Sequence, residues 1–214
     1  MCIVDIGSNS IRAMKAERAA GAPGFFPKQL FTTRLADGLL LTGRLQPEPI
    51  ARSLEALKSI RAFAEQEGLR IRAYATSAVR DAANREDFLI PAEALLGSPV
   101  DVLNGEREAN YAYKGAAGGE GGLIDIGGGS TQIVTRDRAI SCPIGCVRAR
   151  DACPEQRDFD ALRAGLLPLL DSLLPLPAFP AMGWTGVGGT VTSLAALSLG
   201  LERYACAAVH GCVL

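Results

Sequence analysis

Asp125-Ile126-Gly127-Gly128-Gly129-Ser130-Thr131 decides the fold, because the chain carries this stretch twice: about 120 residues earlier it reads Asp5-Ile6-Gly7-Ser8-Asn9-Ser10. Each copy follows a short apolar run, Cys2-Ile3-Val4 in the first and Leu123-Ile124 in the second, and precedes another apolar position, Ile11 or Ile133-Val134. That order predicts strand, tight turn, strand. An Asp at a strand end, next to glycines and hydroxyls, is what a phosphate–metal site needs. The carboxylate can hold a hard cation directly or through water. Glycine lets backbone N–H groups approach phosphate oxygens closely, and Ser and Thr hydroxyls add donors. Two such copies facing each other would grip one phosphate chain from both sides.

The rest of the composition sets bounds on this reading. With 214 residues, 48% hydrophobic and 21% charged, the chain is globular and long enough for one domain or two small ones. A net charge of −1 gives no global basic field for nucleic acid or polyanions, so phosphate recognition has to be local. No apolar run approaches the roughly 20 residues of a membrane span. The first strand starts almost at Met1, which leaves no room for a signal peptide and predicts a cytoplasmic protein. Cys142, Cys146 and Cys153 are close in sequence, but their spacing is a poor zinc pattern and His210 is the only histidine. Reduced, mostly buried thiols are the expectation.

Working outward from the repeats, the first 35 or so residues read as strands, with a Gly-Ala-Pro-Gly turn at 21–24. Ile50, Leu54, Leu57 and Phe63 give helical spacing over 47–67, with prolines at the start and Gly68 at the end. A strand around Ile71–Ala75, a helix at 84–96, a strand at 100–103 and a helix at 106–116 follow. The run Gly115-Ala-Ala-Gly-Gly-Glu-Gly-Gly122 is the clearest shift in composition and reads as a hinge between lobes 1–116 and 117–214. Beyond it, strands at 122–126, 131–136 and 138–143 lead to a helix at 156–174, which Pro168 would kink or split. A strand at 182–187 then passes through Gly188-Gly189-Thr190 into a helix at 190–200. The second half repeats the opening of the first, so a duplicated α/β unit with a ligand cleft is expected. The abrupt end at His210-Gly211-Cys212-Val213-Leu214 reads as a truncated second lobe, whose uncovered apolar surface would invite pairing into a homodimer.

Eight segments, in order, resemble the exopolyphosphatase/guanosine pentaphosphate phosphohydrolase (Ppx/GppA) family. They are Asp5–Arg12, Leu41–Leu45, Ala75–Ala82, Asn104–Ala109, Asp125–Thr131, Pro143–Arg148, Gly186–Thr192 and His210-Gly211. That family belongs to the superfamily of actin, sugar kinases and heat-shock chaperone ATPases. The resemblance implies an α/β fold of two actin-like (ribonuclease H-like) lobes around a cleft, the second one incomplete. It also implies a magnesium-dependent phosphohydrolase that removes the terminal phosphate from polyphosphate or guanosine pentaphosphate, with no nucleic-acid or membrane partner. Glu108 matches the family's catalytic carboxylate, which activates water; on the residues alone a solvated acid at a helix start is the better reading. Where the family usually has Glu after the second Ser-Thr, this chain has Gln132, which cannot supply charge.

Hydrolysing a terminal phosphoanhydride needs an oriented water, a base and neutralisation of phosphoryl charge. Asp5 and Asp125 are the expected magnesium carboxylates, with Gln132 beside them; turn capping is the plainer role for both aspartates. Arg12 and Arg80 suit bidentate phosphate contacts. Ser8, Asn9, Ser77, Ser130 and Thr131 would add neutral donors, and Gly127, Gly128 and Gly129 backbone N–H groups. Gly188-Gly189-Thr190, opening a helix, has an anion-binding geometry. A kinase or ATPase of the same fold, or a non-catalytic phosphate or alarmone sensor, would share the Asp-Ile-Gly loops. The Thr76–Asp81 and Asn104–Ala109 segments favour the phosphatase.

Overall fold

The computed structural model describes residues 1–16, 28–152, 159–171 and 183–213. Both repeats fold into the same hairpin: β1 (Cys2–Ile6) turns into β2 (Ile11–Lys15), and β6 (Gly122–Ile126) into β7 (Thr131–Thr135). In each turn a glycine N–H donates to a serine carbonyl, Gly7 to Ser10 at 3.1 Å and Gly127 to Ser130 at 3.0 Å. The registers match as well, with Asp5 opposite Arg12 and Asp125 opposite Gln132.

Each hairpin founds one sheet. The first has the order β3 (Lys28–Phe31), β2, β1, β4 (Ile71–Ala75), β5 (Val100–Val102), with β4 parallel to both β1 and β5. The second has the order β8 (Arg138–Cys142), β7, β6, β9 (Trp184–Val187), with β9 parallel to β6. Parallel neighbours need crossovers, and helices supply them. In the first half these are α1 (Leu39–Thr42) and α2 (Pro47–Gln66), then α3 (Ser77–Asp81) and α4 (Glu86–Leu96). In the second half they are α6 (Cys146–Ala152) and α7 (Phe159–Asp171), after which α8 (Gly188–Ser198) and α9 (Cys206–Val209) follow β9.

Strand alternation decides which face becomes core. Val4, Ile6, Ile11, Ala73 and Ala75 turn inward onto Leu57 and Ile60 of α2 and Phe88 and Leu96 of α4, all buried. The odd-numbered positions of β1 therefore face the other way. Arg12, Asp5, Tyr74 and Asp101 stand there in one row across four strands. The second sheet carries the corresponding row Ser141, Gln132, Asp125, Val187.

One helix, α5 (Gly105–Ala116), serves both rows. Asn104 caps it by accepting the Arg107 N–H at 2.8 Å. Its Ala109 and Tyr113 pack with Leu123 and Val134 of the second sheet. On its other side Arg107 holds Asp101 at 2.7 Å, and the Tyr111 ring meets Tyr74 edge-on at 6.2 Å. The glycine-rich run expected as a hinge thus joins α5 to β6, two elements that pack on each other. Tyr113 Oη donates to Gly121 O at 3.0 Å, and Gly118, Gly119 and Gly121 take positive φ.

The longer elements fall where periodicity places them, and the differences are local. The one- and two-turn helices α1, α3, α6 and α9 are too short to show a 3.6-residue pattern. The helix expected at 190–200 begins at Gly188, so Gly188-Gly189-Thr190 form its first turn. The α7 helix continues through Pro168, which neither splits it nor ends it. The turn expected at 21–24, Cys153 and the ends of the helix expected at 156–174 lie outside the described residues. Of the described cysteines only Cys2 and Cys142 are buried, which corrects the expectation of mostly buried thiols; Cys146 and Cys206 open α6 and α9 at the surface. No helix among the described residues is long and apolar enough to cross a membrane.

Candidate functional site

The two Asp-Ile-Gly turns meet at the centre of the molecule. A methyl group on Gly128 would sit 3.0 Å from Asn9 N and Cβ, and one on Gly129 would overlap the hydroxyls of Ser8 and Ser77. Those two hydroxyls are buried and bond each other at 2.8 Å. The second turn is also braced from behind. Cys146 N–H donates to Gly127 O at 3.0 Å and Val147 N–H to Gly128 O at 2.8 Å. Gly145 lies so close that a Cβ there would come within 2.5 Å of Gly127 O.

The charged groups stand around these turns. Arg12 Nη1 reaches Asp5 Oδ2 at 3.5 Å. Arg80, from α3, donates through Nη1 to Glu108 Oε2 at 2.8 Å and to Leu103 O at 2.9 Å. Glu108 lies in the first turn of α5, above the face of the second sheet that carries Asp125, and its side chain is 16% exposed. Ser130 Oγ stands 3.5 Å from Glu108 Oε1. Gly188 closes the far side: with φ +90, a Cβ there would meet Asp125 Oδ1 at 2.7 Å.

All three carboxyls are held above the usual carboxylate range. For Glu108 burial is the main cause; the Arg80 hydrogen bond and charge oppose it, and the Asp125 and Asp5 charges add to it. Burial likewise pushes Asp125 up, against the pull of Arg12 and with a push from Asp5. Asp5 lies deep in the cleft, although its side chain keeps 43% of its surface, and burial raises it against Arg12. Burial raises all three carboxyls and the two aspartate charges add to the effect on Glu108, a cost that a cation placed among them would relieve.

Asp5, Ser8, Asn9, Arg12, Ser77, Arg80, Glu108, Asp125, the three glycines, Ser130 and Gly188 therefore come together. Other expected donors are spent on the scaffold. Thr131 Oγ1 donates to Ile144 O at 2.7 Å. Gln132 is buried, and its amide nitrogen donates to Ser130 Oγ at 2.9 Å and Ser141 Oγ at 3.1 Å. Thr190 Oγ1, by contrast, is buried and has no hydrogen-bond partner among the described residues. Among the described residues no three His, Cys, Asp or Glu side chains cluster as a metal cage. Two carboxylates completed by water and phosphate remain a suitable donor set for magnesium. Sequence reading passed over Asp81 and Arg148. Their signals were present, since Asp81 follows Arg80 and Arg148 ends the Pro143–Arg148 segment, but the contact between them exists only in three dimensions.

Two facing hairpins with glycine turns, each carrying an aspartate, define a protein of the actin-like class. The Ppx/GppA phosphatase family model matches residues 16–197, and the chain belongs to that family. Exopolyphosphatase 2 of Mycobacterium tuberculosis is 35% identical to it, over 97% of this chain and 73% of that protein. Among solved structures, an exopolyphosphatase-like protein superposes with a TM-score of 0.83 at 28% identity, covering 94% of this chain and 69% of the other. The Aquifex aeolicus Ppx/GppA family member gives a TM-score of 0.74 at 30% identity, covering 100% of this chain and 74% of the other.

Two outcomes follow from this geometry. Gly129→Ala forces a methyl group into the buried Ser8–Ser77 pair and is expected to cost about 1–3 kcal/mol, read as a lower urea midpoint at unchanged slope. Asp125 has a folded pKa above its unfolded value, so its protonated form favours the fold and that contribution is lost as pH rises through the folded pKa. Asp125→Asn is therefore expected to raise Tm at pH 7, with the gain vanishing below about pH 4, where the unfolded carboxyl is also protonated. Thermal melts of both proteins across this range check it.

Proposed function

We propose that this protein is a phosphohydrolase that removes the terminal phosphate of inorganic polyphosphate, with Glu108 as the base. One observation carries the reading: a mostly buried glutamate, held by Arg80 at 2.8 Å, stands at the meeting point of two glycine turns and feels the charges of both Asp5 and Asp125. Family membership supports phosphate chemistry, and the name of the mycobacterial relative favours polyphosphate over guanosine pentaphosphate.

The terminal phosphoryl group rests against the Gly127–Gly129 turn, with Asn9 and Ser130 as neutral donors. Arg12, half-exposed and only loosely tied to Asp5, turns its guanidinium to the phosphate oxygens. Water attacks the terminal phosphorus, the bond to the bridging oxygen breaks, and Glu108 takes the water's proton. Its raised pKa makes it a stronger base than an ordinary carboxylate, at the cost of a smaller ionised fraction in acid. Asp5 and Asp125 would hold magnesium, which supplies charge neutralisation at the phosphate oxygens when bound. Gln132 supports Ser130 and leaves its carbonyl for a metal-bound water.

Phosphate release from polyphosphate, guanosine pentaphosphate and ATP, measured with magnesium, tests the reading. Wild type is expected to act fastest on polyphosphate, and Glu108→Ala to lower kcat by about 10²–10⁴-fold. Binding without release from any of the three would make the protein a sensor instead. Release preferring guanosine pentaphosphate would change the substrate and leave the site intact.

A magnesium titration tests the metal arm. Gln132→Glu adds a carboxylate beside Asp125 and is expected to lower the magnesium concentration for half-maximal rate. It should also lower Tm, because the new charge is buried. An unchanged titration would remove position 132 from the metal's surroundings.

A further inference from the structure

Arg80 does not hold Glu108 alone. Its Nε donates to Asp81 Oδ1 at 3.3 Å, so the guanidinium is fixed at one edge by Asp81 and at Nη1 by Glu108 and Leu103 O. The second oxygen of Asp81 accepts Arg148 Nη2, which comes from the other half of the molecule. The Arg148 side chain is only 13% exposed. Its guanidinium also donates to Pro143 O at 3.3 Å. The helix that bears it, α6, is anchored at both ends of this connection: its first N–H groups bind Gly127 O and Gly128 O, and its Val147 is buried in the core of the first half.

We propose that Arg148 is a positioning residue for the hydrolysis, acting through Asp81 to set the Arg80–Glu108 pair against the second glycine turn. One rigid helix then ties the turn that would hold the phosphate to the carboxylate that would take the proton. When the two halves are seated on each other, Arg148 fixes Asp81, Asp81 fixes Arg80, and Arg80 fixes Glu108. When they part, Asp81 loses one of its two arginines and the brace on Arg80 loosens. Arg148 touches no expected substrate atom. Its effect should fall on the orientation of the base and not on substrate binding.

The same helix supplies a control. Arg150 Nη2 also reaches across to the first half, to Asp37 Oδ1 at 2.6 Å, but Asp37 leads only to Arg52 and has no contact with Arg80 or Glu108 among the described residues. Breaking that pair loosens the seating of the two halves, by less than at Arg148 because Arg150 is half-exposed, without touching the chain of contacts to the base.

The inference rests on Glu108 being the base of the proposed hydrolysis, and the experiment separates the two. In the full chain, with polyphosphate and magnesium, kcat, KM and Tm are measured for wild type, Arg148→Gln, Arg148→Lys, Asp81→Asn and Arg150→Gln. Arg148→Gln is expected to lower kcat by about tenfold with KM within about twofold, the signature of lost orientation without lost binding. Asp81→Asn should do the same, and Arg148→Lys should recover part of the loss. Arg150→Gln should leave kcat within about twofold of wild type, with a Tm loss smaller than that of Arg148→Gln. Equal losses of kcat in Arg148→Gln and Arg150→Gln would overturn the inference in favour of general seating of the halves. So would an unchanged kcat in Arg148→Gln, or a loss confined to KM. In each of those cases an active wild type with an impaired Glu108→Ala leaves the proposed function standing. A wild type that releases no phosphate overturns both.

Discussion

The contact between the two Asp-Ile-Gly turns is the constraint on which the rest of the structure depends. Gly128 and Gly129 lie against Ser8, Asn9 and Ser77 with no room for a methyl group, so the sheets that carry the turns can approach no differently. Everything charged is placed by that approach. Asp5 and Asp125 end the strands entering the two turns, and the matching registers put Arg12 beside the one and Gln132 beside the other. The repeat is thus equal in backbone and unequal in charge: one copy pairs its aspartate with a cation, the other with a neutral amide.

That inequality matters because the site is rich in acid. Asp125 and Asp5 raise the cost of ionising Glu108, Asp5 does the same to Asp125, and only Arg12 and Arg80 oppose them. A charged residue in place of Gln132 would add a further buried acid to the same cluster. As an amide it instead donates to Ser130 and Ser141, two hydroxyls that hold the turn and the start of α5 in place: Ser130 stands beside Glu108, and Ser141 lies against Gly105. Position 132 thus serves a neutral hydrogen-bonded scaffold where a carboxylate would carry charge.

Much of this was legible in the sequence, for identifiable reasons. The hairpins were readable because glycine and serine between two apolar runs leave few alternatives, and α2 because Ile50, Leu54, Leu57 and Phe63 keep helical spacing over about four turns. Asp125 was readable because it lies near a strand end beside glycines, Arg80 because it follows the strand end at Thr76-Ser77, and Glu108 only through the resemblance of the Asn104–Ala109 segment, since an acid at a helix start is ordinarily a solvated charge. Other features were not. Thr131 and Gln132 look like ligand donors in a linear motif, yet their partners are Ile144, Ser130 and Ser141, which only the folding of β8 and α6 brings near. The glycine-rich run after α5 has the composition of a hinge, and only the burial of Ala109 and Tyr113 against Leu123 and Val134 shows which sheet its two flanks share.

The position of α5 connects these points. A helix packed on one sheet alone would carry Glu108 wherever that sheet moved. Because α5 also meets the first sheet through Arg107 on Asp101 and Tyr111 on Tyr74, and through Glu108 on Arg80, the carboxylate answers to both halves at once. The crossing contacts of α6 work in the opposite direction, from the second glycine turn to the core of the first half. Two helices crossing the same boundary from opposite sides leave the cleft little freedom to shear. Parting the halves would separate Arg148 from Asp81 and leave the Arg80–Asp81 contact, made within α3, intact.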